Sequence, residues 1–111
     1  MAASVGPLFK SSGISGRDPK DNSLPADGVA QVDLVFANTR ALFEVARVSL
    51  DQVVFLEVLL ADGSLRDEVN RHWLEWYPDE HDRPARHTTV RELPGGLKIQ
   101  LRVEAYVEEK K

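Results

Sequence analysis

The sequence predicts an α+β domain, a mixed β-sheet with two helices packed on one face. Three observations carry this. Leu97–Val107 alternates apolar and polar residues at period two, the mark of a half-buried strand. Two stretches, one opening at Asp27 and one at Ser64, instead repeat apolar residues at helical spacing. Between them lies Val53–Leu60, apolar at almost every position, as expected of a strand buried on both faces. The order is strand, helix, strand, helix, strand, strand.

In chain order, Leu8–Ser11 reads as a short strand ended by Ser12-Gly13, and the sheet is expected to begin there. A turn-rich loop follows from Ile14 to Pro25, broken by Gly16, Asp18-Pro19, Asp21-Asn22 and Pro25. It has no Walker-type lysine pattern and no buried strand before it, which argues against phosphate binding. Asp27 is placed to cap a helix running to about Arg47. Val29, Val32, Phe36, Phe43 and Ala46 form its stripe, widened by Val35 and Leu42. Asn38, in mid-helix, reads as a solvated polar residue.

Two helices cover only one face of a small sheet. The doubly apolar strand Val53–Leu60 therefore implies that another subunit covers the other face. After the turn Ala61-Asp62-Gly63, Ser64 and Asp67 resemble a capping box. They open a helix with Leu65, Val69, Trp73 and Trp76 on one face, stopped by Pro78; both tryptophans read as core. His87–Arg91 places Thr88 and Val90 on one face, with Thr89 and Arg91 on the other. Leu93-Pro94-Gly95-Gly96 turns the chain. In the last strand Leu97, Ile99, Leu101, Val103, Ala105 and Val107 face the helices. Lys98, Gln100, Arg102, Glu104 and Tyr106 share the opposite face.

Composition narrows function by exclusion. The chain of 111 residues forms one domain. Its net charge of −4 argues against a general nucleic-acid binder. It contains no cysteine, which rules out disulfides, thiolate nucleophiles and zinc–thiolate sites and fits a reducing cytoplasm. No run of about 18 apolar residues exists, so no membrane helix is expected. Pro78–Asp82 is acidic beside His81, but adjacent residues rarely converge on one metal ion. His72, His81 and His87 lack metal-ligand spacing.

The chain resembles the RidA/YjgF family through an ordered set of short matches. These are Ser12-Gly13, Pro25-Ala26-Asp27, Gln31, Asn38, the segment Asp51–Asp62, Val69-Asn70, Pro84-Ala85-Arg86 and Leu93-Pro94. The resemblance implies a chorismate-mutase-like α+β fold and a cytoplasmic homotrimer with ligand clefts between subunits. It implies that Arg86 grips a small carboxylate metabolite, since a guanidinium offers a planar fork matched to a carboxylate. It places the backbone of Ser12-Gly13 at the border of the cleft, and Thr88 where many relatives carry cysteine. The active deaminases of the family hydrolyse enamines and imines to keto acids and ammonia, with no metal or organic cofactor. Their final-strand glutamate falls here on Gln100, which can orient water but cannot act as a base. Glu104 shares that face four residues on, roughly 13 Å along a strand, and only a bulge or register shift would bring it into place. The family's first strand, with its cleft aromatic, is expected to be absent, Gly6-Pro7-Leu8 being only a superficial likeness to its motif. Two functions stay open: a deaminase using Gln100 or Glu104, and a trimeric binding or regulatory protein that has lost the catalytic acid. Ribonuclease activity, attached to the family's name, finds little support in the acidic balance.

Overall fold

The computed structural model describes residues 2–108. It contains a six-stranded sheet with two helices on one face. The strands are β1 (Ala2–Val5), β2 (Leu8–Ser11), β3 (Ile14–Ser15), β4 (Val53–Leu60), β5 (Ala85–Val90) and β6 (Ile99–Tyr106). The helices are α1 (Gly28–Ala46) and α2 (Arg66–Trp76). The sheet order is β1-β2-β6-β4-β5, with β3 also paired to β6. Every pairing is antiparallel except β4 with β5. That pair is parallel because α2 carries the chain back before β5 begins, as a crossover must.

Two expectations about the N-terminal part are corrected. The sheet does not begin at Leu8: Ala2–Val5 precedes it and pairs with it in a hairpin, with Gly6 at φ 57° in the turn. The turn-rich loop also contributes a strand, because Ile14 and Ser15 pair with Leu101 and Gln100.

β4 and β6 form the centre. On β6, Ile99, Leu101, Val103 and Ala105 are fully buried against the helices. The ladder sets Leu56 beside Val103, Val58 beside Leu101 and Leu60 beside Ile99, so these β4 residues face the same core. Phe55, Glu57 and Leu59 face the other way, beside Glu104, Arg102 and Gln100. A bulge at Val54 separates Val53, beside Ala105, from Phe55, beside Glu104, and leaves Val54 half exposed. The near-continuous apolar run of β4 is thus two alternating sets. The helices cover only one of them, and on the uncovered face Leu8 and Tyr106 remain 48% and 50% exposed.

Asp27 caps α1 by accepting from the Val29 N–H, and Arg47 ends it in the left-handed region at φ 59°. Val32, Val35, Phe36 and Phe43 are buried as the stripe predicts. Val29 is not: it sits in the first turn of the helix and stays 43% exposed. The start of α2 also differs from the expected capping box. Asp62, not Ser64, supplies the cap, accepting from the Ser64 N–H at 2.9 Å and opening a 3-10 turn over Gly63–Leu65 that leads into the helix. Trp73 is buried, and Trp76 packs edge-on to Phe36 at 4.9 Å between ring centroids. Their reading as core holds.

Candidate functional site

The parallel register of β5 decides which way its side chains point. Arg86 pairs with Leu56, Thr88 with Val58 and Val90 with Leu60. All three therefore lie on the helix side of the sheet, at its edge. The Arg86 guanidinium stacks over the Trp73 ring at 5.3 Å, and its Nε donates to Thr88 Oγ1 at 3.1 Å. Trp73 is thus more than core; it also forms the floor beneath a cation.

No carboxylate pairs with Arg86 among the described residues. Removal from water pulls its pKa below the ordinary arginine value, and the like charge of Arg66 adds to this. A partly buried charge without a counter-charge is costly. Stacking on tryptophan returns only about 0.5–2 kcal/mol of that cost. An arriving anion would supply the rest.

The other half of the predicted site lies elsewhere. Gly13 lies against the Gln100 amide, so close that a Cβ at this position would make the Gln100 side chain move aside. Ser12 and Gly13 thus join Gln100 on the far side of the sheet, across β4 from Arg86. Glu104 shares the outward face of β6 with Gln100. The ladder between β4 and β6 runs unbroken from Leu60–Ile99 to Phe55–Glu104, and the bulge lies beyond it. Glu104 therefore keeps its strand distance from Gln100 and pairs with Lys10 at 3.3 Å. No register shift moves it into the place of the missing acid.

Two amides the sequence left bland hold this end of the fold. Gln31 is fully buried. Its Nε2 donates to the carbonyls of Pro25 and Gly96 at 2.7 and 3.2 Å, and its Oε1 accepts from the Lys98 N–H at 2.8 Å. Asn38 is not solvated: its Nδ2 donates to the carbonyls of Ser15 and Arg17 at 3.0 and 2.8 Å, which holds the chain after Gly13 against α1. The available signal was their spacing: seven residues apart on one helix face, beside a loop full of unpaired backbone groups.

One further cluster went unnoticed in the sequence. Asp33, Glu68 and His72 bring carboxylate and imidazole ligand atoms within 4.8 Å of one another between α1 and α2. A cation already sits among them. Arg71 Nη2 lies 3.0 Å from Asp33 and 2.6 Å from Glu68, while His72 Nε2 lies 2.7 Å from Asp33. The cluster is an interhelical ion network. Its hydrogen bonds from Arg71, and then the contact with Asp33, hold the Glu68 carboxyl down at about 2. No helix among the described residues is long and apolar enough to cross a membrane.

Comparison with known proteins agrees with this architecture. The sequence model of the family described as Endoribonuclease L-PSP matches residues 1–107. A RutC family protein of Aquifex aeolicus (strain VF5) is 27% identical over 106 residues, spanning 95% of this chain and 85% of that protein. RidA from the Antarctic bacterium Psychrobacter sp. PAMC 21119 superposes with a TM-score of 0.85 at 31% identity, covering 96% of this chain and 85% of the other. The YjgF gene product of E. coli gives a TM-score of 0.80 at 27% identity, covering 95% of this chain and 84% of its own.

Proposed function

The chain belongs to the endoribonuclease L-PSP family, with the RidA/YjgF fold, and from that premise we propose that it binds small carboxylate metabolites at Arg86 in clefts between the subunits of a homotrimer. The observation that carries this is the guanidinium itself: partly buried, stacked on Trp73, held by Thr88 and paired with no acid among the described residues. Arg86 and Gln100 lie on opposite faces of one sheet. A ligand touching both therefore needs Gly13 and Gln100 from a neighbouring copy. The uncovered sheet face, with Leu8 and Tyr106 half exposed, supports such packing. The family's name carries a ribonuclease, but a net charge of −4 favours a small anion over RNA.

Within this cleft the reaction is hydrolysis of an enamine or imine. The enamine takes a proton on carbon to become the iminium tautomer. A water oxygen adds to the iminium carbon, and one of its protons passes to nitrogen. The carbon–nitrogen bond then breaks as the second proton leaves oxygen for nitrogen. The products are a keto acid and ammonium. Arg86 holds the carboxylate, and the Gln100 amide orients the water without accepting its proton. The same Gln100 favours a second reading, a trimer that binds the carboxylate and does no chemistry.

Freshly generated 2-aminoacrylate separates the readings, with loss of imine absorbance followed in the presence of wild type and Arg86→Ala. Acceleration by the wild type and not by the variant supports the deaminase. No acceleration, with keto acid binding retained, supports the binding protein. Acceleration unchanged in Arg86→Ala overturns the site. A monomer by light scattering at micromolar concentration overturns the intersubunit cleft.

A further inference from the structure

The surroundings of Arg86 hold more than one carboxylate needs. β5 runs parallel to β4 and α2 runs back between them, so the row Arg86, Thr88, Val90 leads from Trp73 toward the start of α2. Two contacts fix the ends of this alignment. Arg86 lies over Trp73 at 5.3 Å, and a Cβ built on Gly63, just before α2, would lie 3.8 Å from Val90 Cγ2. Arg66, Asn70 and Trp73 lie four and three residues apart, so they share one helix face. That face is the one turned to Arg86. The Asn70 amide is half-buried and makes no hydrogen bond among the described residues, and Arg66 pairs with no carboxylate among them. Thr88 Oγ1 accepts from Arg86, which leaves its own proton to donate. The charge of Arg66 reaches Arg86 and disfavours it, so the two cations are electrostatic neighbours.

The groups are therefore a guanidinium at each end with a hydroxyl and an amide between them, over a tryptophan floor. All can donate, and no acid accepts. Resting on the carboxylate-binding role of Arg86, we propose that Arg66 is a specificity residue of the same site, so that the preferred ligand is a small dicarboxylate with one carboxylate on Arg86 and the second on Arg66. Asn70 and Thr88 donate along the carbon chain between them. Arg66 is exposed, so this second grip is the looser one and acts on ligand choice more than on total affinity.

Isothermal titration of the intact oligomer with 2-oxoglutarate and 2-oxobutyrate tests this. The wild type binds 2-oxoglutarate about tenfold more tightly, the worth of one added charge-assisted contact. Arg66→Gln removes that preference by weakening 2-oxoglutarate far more than 2-oxobutyrate; Arg66→Lys keeps part of it. Arg86→Ala weakens both ligands together. Equal affinities in the wild type, or a preference that survives Arg66→Gln, overturn the role of Arg66 and leave Arg86 as the carboxylate anchor. Binding of both ligands undiminished in Arg86→Ala overturns the site and the inference together.

Discussion

β5 and β6 flank the same central strand, and they are built to opposite ends. β6 has neighbours on both sides and four fully buried residues in perfect alternation. β5 ends the sheet, holds no buried residue and presents Arg86 and Thr88 at its rim. An interior strand is specified by burial, which leaves little room for chemistry. An edge strand leaves its side chains free to meet a ligand. The proposed anion-binding half of the site is on the edge; Gln100, proposed to orient water, stands on the interior strand, with Gly13 brought beside it from the turn between β2 and β3.

The largest expected effect strikes the edge. Arg86→Ala should weaken keto acid binding by about a thousandfold, because a desolvated bidentate partner is lost outright. Stability should change little. The substitution removes an uncompensated charge as well as its stacking on Trp73. Titration calorimetry and a thermal melt check the two halves of this statement. A large fall in melting temperature would mean that Arg86 is structural, and the contrast between the strands would collapse.

The next effect strikes the interior strand. Gln100→Glu restores an acid where the family's deaminases carry one. If position and water are already in place, imine hydrolysis should rise about a hundredfold, the ordinary worth of a general base. No rise would show that β6 has lost more than its acid.

What the sequence made legible follows the same division. The strand Val53–Leu60 and the α1 cap at Asp27 are as expected, because burial and capping leave local patterns. The inward row of β6 holds for the same reason. Ala2–Val5 and Ile14–Ser15 were not legible, since short edge strands carry no pattern of their own and exist through their partners. Arg86 was visible through its neighbours Pro84 and Ala85. Its placement opposite Gln100 was not visible, because faces depend on register, and the registers of β5 and β6 against β4 are set by pairing between strands distant in the chain. Gln31 looked ordinary because its worth lies in partners 6, 65 and 67 residues away.

Gln31 gives a third, smaller test, on the rigid side. Gln31→Ala leaves the Lys98 N–H and the carbonyls of Pro25 and Gly96 without their partner. The cost should be about 2–3 kcal/mol, read from the urea midpoint at unchanged slope. Keto acid affinity at Arg86 should stay within a factor of about two, since sites that share no partner act nearly independently. Coupled losses would show that the two halves communicate through β4.

The smallest effect concerns α2, which supplies Trp73 beneath Arg86. Arg71 ties this helix directly to Asp33 of α1, and Glu68 of its own helix holds the same guanidinium in place. The Glu68 carboxyl is held at about 2, against an ordinary 4.5, chiefly by the hydrogen bonds from Arg71. A carboxyl lowered in the folded state stabilises the fold only while ionised. Its contribution is complete above pH 4.5 and is lost as pH falls toward 2. The ion network lies at the surface, with Arg71 and Asp33 half exposed, so solvent screens part of it. Wild type should therefore exceed Glu68→Gln in urea midpoint at pH 6, and the gap should narrow markedly by pH 3. Carboxylates elsewhere titrate in both proteins and cancel from the difference. If the gap instead persists unchanged at pH 3, the network is not what fastens α2. The floor beneath Arg86 is then held by the packing of Trp73 alone, and the edge site is as rigidly mounted as the interior one.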